Sequence, residues 1–158
     1  MLMATTAIEL FRGLDESETA AIEALAQRVR LAAGEVLFRL GDDAVWLYSI
    51  QWGRISLTLP MRVRSRDEDV LIEERLPGQT LGWSALIPPH RVTMTASALA
   101  ETELLAIPRE PLLHLLDSRP ELGYRVVRNV GGVIGHRLQV LQAMWLREMQ
   151  RFVSVAHG

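Results

Sequence analysis

The sequence predicts a mainly β fold: a double-stranded, jelly-roll-like β-roll with helices before it and one long helix after it. Between Leu31 and Ile107 short apolar clusters alternate with glycine or proline, the grammar of strands joined by tight turns. From Glu121 to about Val155 there is no proline, and apolar residues recur in steps of three and four, as one long helix requires. The 158 residues, 49% of them hydrophobic, suffice for one core and are a tight fit for two. A single domain is expected, with N-terminal helices over 1–30, the roll over 31–108, a short helix over 109–118 and the long helix over 121–155.

Each element has its own signal. A short helix is expected over Ile8–Phe11. A second, over 15–30, opens on Asp15 and Ser17 and carries Ala20, Ala21, Ala24, Leu25 and Val29 between charges. Strand candidates follow at Val36–Phe38, Trp46–Ile50, Arg54–Leu59, Val70–Ile72, Thr93–Leu99 and Glu103–Ile107. Gly34, Gly41, Gly53, Gly78 and Gly82 fall at their boundaries, where a turn needs positive φ. The charged run Arg62–Asp69 alternates sign and reads as a solvated hairpin connection, its arginines largely cancelled by Asp67, Glu68 and Asp69. Pro111 fits the first turn of a helix reaching Leu116, and Pro120 restarts the chain. The long helix carries one apolar line through Val127, Val130, Ile134, Leu138, Leu141, Trp145, Met149 and Phe152. Beside it runs a second, through Val126, Val133, Val140 and Met144. That face is wider than one partner surface requires, so the helix is expected to pack on the roll and on a second copy of the chain at once. Gly131, Gly132 and Gly135 cost such a helix about 1 kcal/mol each relative to alanine. Close approach of a symmetry-related helix, a hinge, or simple tolerance each accounts for them.

Composition excludes several functions. A net charge of −2 gives no basic surface for phosphate backbones, so nucleic acid is not an expected partner. Cysteine is absent, which removes disulfides, thiolate nucleophiles and thiolate metal sites and fits a cytoplasmic location. The first residues lack a secretory signal, and no window reaches the roughly 18 apolar residues of a membrane span. His90, His114, His136 and His157 form no metal-ligand spacing. Neither a nucleophile elbow nor a P-loop occurs, and an enzyme is not expected.

The segments Ala33–Phe38, Gly41–Asp43, Leu47–Ile50, Gly53–Ile55, Leu76–Gly78, Leu81–Gly82 and Glu103–Ile107 together resemble the cyclic-nucleotide-binding superfamily. The likeness is closest to the effector domain of Crp/Fnr-type regulators and covers nearly the whole chain. The resemblance implies a phosphate-binding cassette over Leu81–Thr93, a short helical turn whose backbone N–H groups hold a cyclic phosphate. Gly82, Ala85 and Leu86 match its pattern, with Trp83, Ser84 and Thr93 beside them. The family has a ribose-binding glutamate where this chain has Trp83, and a phosphate-binding arginine for which Arg91 is the candidate. Aligned back from Ala96–Leu99, that arginine position falls on Val92 instead. Pro88-Pro89 can absorb the offset, and both registers stand. Losing one charge-assisted hydrogen bond costs about 1.5–3 kcal/mol, or about ten- to hundredfold in affinity. By the same resemblance Leu141 and Gln142 occupy the helix positions that close over a bound base.

The resulting expectation is a ligand-sensing regulatory domain, with cAMP or cGMP as candidate ligand, that signals through a homodimer formed by residues 121–155 to an unidentified downstream protein. The chain ends at Gly158, too early for the winged helix-turn-helix that the resemblance implies, so direct operator binding is not expected. A degenerate roll serving as a dimerisation or scaffold module is the alternative. A cupin-like metal enzyme is a distant third.

Overall fold

The structure, a computed structural model, describes residues 7–158; the helix expected to begin within residues 1–6 lies outside the described residues. A 3-10 turn at Glu9–Phe11 leads to helix α1, Glu16–Glu23. Asp15 caps α1 by accepting from Glu18 N at 2.7 Å, while the Glu18 carboxylate accepts from Asp15 N at 3.1 Å. This reciprocal box satisfies two otherwise orphaned donors. The helical block expected over 1–30 ends early, because β1 spans Gln27–Leu31. In Gln27–Leu31 apolar and basic residues alternate with period two. Arg28 and Arg30 turn outward to Glu103, while Val29 and Leu31 pair with Leu104 and Thr102 of the last strand. The period-two pattern and a long-range ladder outweigh the alanine-rich helical spacing that precedes them.

The remaining strands are β2 Val36–Phe38, β3 Trp46–Trp52, β4 Ile55–Val63, β5 Arg66–Arg75, β6 Thr80–Leu81, β7 Thr95–Ala98 and β8 Thr102–Pro108. They form two four-stranded antiparallel sheets in the orders β1-β8-β3-β6 and β2-β7-β4-β5. β1 and β6 have no clear apolar cluster of their own and are recognised only through their partners. The charged run Arg62–Asp69, expected as a connection, is instead mostly strand. Arg62 faces Asp67, the one opposite-charge pair of the run, while Met61 faces Glu68 and Val63 faces Arg66 across the hairpin. Only Arg64 and Ser65 turn, both at positive φ, as a two-residue hairpin loop demands.

Helix α2, Arg109–Ser118, and helix α3, Pro120–Ala156, close the chain. By helical rise, the 37 residues of α3 extend about 55 Å. Its buried residues are Leu122, Val126, Val130, Val133 and Arg137. The second apolar line of the sequence, joined by Val130, is thus the face laid on the protein. Much of the first line is exposed, including Val127, Leu138, Trp145 and Phe152. Where α3 meets α2, a Cβ on Gly123 would lie 2.9 Å from the Leu116 carbonyl oxygen, so glycine permits the close approach. Two apolar clusters result. One lies between the helices and the end of the roll, around Leu10, Ile22, Leu47, Leu112 and Val126. The other lies inside the roll, around Tyr48, Ile50, Ile55, Leu57 and Leu104. Among the described residues no helix is long and apolar enough to cross a membrane.

Candidate functional site

The cassette expected over Leu81–Thr93 folds as a short turn. Gly82 opens it at φ 75°, and a Cβ there would lie 2.8 Å from the Trp46 carbonyl oxygen, so both conformation and space call for glycine. A 3-10 turn follows at Trp83–Ala85, where Ala85 N donates to Gly82 O and Leu86 N to Trp83 O, each at 3.0 Å. Ala85 is buried in the core at the helix end of the roll. The loop is then tied down: Gly41 N donates to Val92 O, Val92 N to Asp42 O and Ala44 N to His90 O, at 2.8–3.0 Å.

Those three bonds decide a register that the sequence leaves open. Val92 turns inward and is buried. Arg91 is exposed, bridges to Asp43 through the backbone, and directs Nη1 towards Gly41 O at 3.5 Å. Gly82, Trp83, Ser84, Val92 and Thr93 line a cavity together with Thr80, Leu81, Phe38, Leu57, Met94 and Arg137. Ala85, Arg91, Leu141 and Gln142 do not line it. Leu141 is half-buried against the roll's inner core and Gln142 is exposed.

The cation of the cavity is Arg137, from α3, and only 8% of it is exposed. Its Nε donates to Glu73 Oε2 at 2.5 Å, and Nη1 reaches the Met94 sulfur at 3.7 Å. Burial lowers the guanidinium pKa from its ordinary value; Glu73 opposes this and Arg75 adds to it. Glu73 also takes Arg75 Nη1 at 3.2 Å and lies 3.5 Å from His136 Nε2. Arg75 in turn donates to Glu9 Oε2 at 2.9 Å and to Thr80 O. An ionic chain therefore runs from the 3-10 turn at Glu9–Phe11, through β5, to the cavity wall on α3. Residue spacing singles out neither Glu73 nor Arg75. One available signal was Arg137 itself, a charge four residues after Val133 and in phase with the buried face of α3.

The cavity holds about 20 Å³, enough for roughly one water and far from the roughly 300 Å³ at which small-molecule pockets begin. At that volume the cavity as it stands does not accommodate a cyclic nucleotide. Among the described residues no group of three or more histidines and carboxylates is gathered as a metal site.

The family model of the cyclic nucleotide-binding domain matches residues 28–119. The cyclic AMP receptor protein of Thermus thermophilus is 28% identical over 139 residues, which are 88% of this chain and 57% of that protein. The chain spans 57%, 26% and 31% of the curated proteins it matches. Among solved structures, the Thermus thermophilus catabolite activator protein superposes with a TM-score of 0.71 at 26% identity, covering 91% of this chain and 63% of the other. The N-terminal domain of a transcriptional regulator from Streptomyces coelicolor does so with a TM-score of 0.67 at 29% identity, covering 81% and 89%.

Proposed function

Because the chain belongs to the cyclic nucleotide-binding domain family, we propose that it is a ligand-sensing regulatory domain that passes the state of its cavity along α3 to a second copy of itself. The observation that carries this reading is the position of Arg137. Among the described residues the one buried cation lining the cavity sits on α3, so a ligand that recruits its charge acts directly on the helix. Family membership supports a regulatory role over an enzymatic one.

The dimer reading rests on the outer face of α3. Tyr124, Leu138, Trp145 and Phe152 are exposed at multiples of seven residues, with Gly131 completing the series, and seven-residue spacing is that of a helix–helix seam. A Cβ on Gly131, Gly132 or Gly135 would meet nothing within 4 Å, so no contact within the described chain accounts for these glycines. Close approach of a second helix does account for them. The small cavity favours a second reading, the non-binding roll that acts only as a dimerisation module.

Hydrogen exchange of α3 in the intact chain separates the two without any ligand. For a sensor, Arg137→Gln and Trp83→Ala each change protection along α3 beyond the substituted turn. Protection that is indifferent to both substitutions sinks the sensing mechanism and leaves the scaffold. Sedimentation equilibrium tests the dimer, and a monomer at tens of micromolar would refute it.

A further inference from the structure

Resting on the sensor reading above, we infer that the cavity takes a small oxyanion, a carboxylate or an inorganic anion of a few heavy atoms, held by the Arg137 guanidinium and the Thr80 hydroxyl, and does not take a cyclic nucleotide. Arg137 carries five N–H donors. Among the described residues its oxygen partners reduce to the Glu73 carboxylate at Nε; Nη1 has only the Met94 thioether, and Nη2 makes no hydrogen bond. A guanidinium with 9% of its side chain exposed is thus left with most of its donors unmet, at a depth where donors are ordinarily paired.

The second observation is independent of the first. Thr80 lines the same cavity and is 1% exposed, and its Oγ1 has no partner among the described residues. A buried orphan hydroxyl and an under-served guanidinium line the same space, which is otherwise largely apolar, faced by Phe38, Leu57, Val92 and Met94. Such dry walls strengthen each charge-assisted hydrogen bond.

Size and charge then select the ligand class. About 20 Å³ is the scale of one water, so an oxyanion of about four or five heavy atoms enters only when lining side chains such as Met94 and Arg137 move aside. A ribose, base and phosphate require Trp83 and α3 to leave. The nucleotide's usual counter-charges are also missing, since Arg91 lies outside the cavity and position 83 is an indole. When an anion draws Arg137 towards it, Glu73 keeps Arg75 at 3.2 Å and His136 at 3.5 Å and is not abandoned as a buried charge.

The test is isothermal titration and thermal shift of the full chain in anion-poor buffer, using sodium acetate, sodium phosphate, cAMP and cGMP as probes. Acetate or phosphate is expected to raise the melting temperature saturably, acetate alone marking a carboxylate site and phosphate alone an inorganic one. The cyclic nucleotides are expected to give no heat. Arg137→Gln is expected to abolish the shift, and Thr80→Val, which keeps the side-chain volume, to weaken binding about tenfold. If Arg137→Gln does not fold, Thr80→Val carries the test alone. Micromolar binding of either nucleotide, silence with both small anions, or a shift that persists at full strength in the variants overturns the inference. Silence with the anions while α3 protection still responds to Trp83→Ala overturns the ligand class alone and leaves the sensor standing.

Discussion

Tyr48 shows what burial does to a single ionisable group inside the roll. The side chain stacks on Phe38 with ring centroids 6.1 Å apart, and burial pushes the phenol pKa up to about 12 from 10.0. A raised pKa means that the folded state holds its proton longer than the unfolded chain. The stabilisation is complete below pH 10 and is lost between pH 10 and about 12. Two units correspond to about 2–3 kcal/mol. Melting curves from pH 9 to 12 are expected to fall more steeply for the wild type than for Tyr48→Phe; parallel curves would show that the phenol is not the group responsible. Arg75 makes the opposite kind of contribution. It is 1% exposed and serves Glu9, Glu73 and Thr80 O together. Arg75→Met leaves Glu9 without its cation and Glu73 with Arg137 alone, and urea unfolding is expected to show a loss of about 3–5 kcal/mol. A loss below about 1 kcal/mol would mean that solvent already screens the cluster.

At the scale of elements, α3 presents one buried and one exposed face. The inner face, Leu122 to Arg137, is anchored by the roll and by α2; the outer residues Trp145 and Phe152 remain 62% and 71% exposed. Trp145→Glu together with Phe152→Glu is expected to weaken self-association at least tenfold in sedimentation while leaving the melting temperature of the roll nearly unchanged. Equal losses in both would place those residues in the fold itself. Gly123 governs the other end of the helix. A Cβ at 2.9 Å from the Leu116 carbonyl oxygen cannot be accommodated by rotating a side chain, so Gly123→Ala is expected to cost about 1–3 kcal/mol. A thermal midpoint unchanged by Gly123→Ala would show that α2 and α3 shift apart freely.

Across the whole molecule, local features were legible and long-range ones were not. Turn glycines at Gly34, Gly41, Gly53, Gly78 and Gly82 all adopt positive φ, α2 and α3 begin at Arg109 and Pro120, and a 3-10 turn follows Gly82 at Trp83–Ala85. These depend on a few adjacent residues, each with its own conformational preference. β1 lies within the span predicted as helix, and β6 has no strand signal of its own, because two to five residues become strand only through partners 31 to 79 positions away. The site divides in the same way. Of the residues lining the cavity, Gly82, Trp83, Ser84 and Thr93 are legible in the sequence; Arg137 is marked only by its phase with the buried face of α3, and Thr80, like the Glu73 that pairs with Arg137, carries no sequence signal. What the sequence determined by itself is the roll, its corners and its long helix, since periodicity and positive φ are written residue by residue. Which arginine meets the cavity was decided only by tertiary structure. Neighbouring residues of an extended chain face opposite sides, so the bonds that Gly41, Asp42 and Ala44 make to His90 and Val92 turn Val92 in and Arg91 out, and the buried cation comes instead from a helix that meets β5 at Glu73, 64 residues away in the chain.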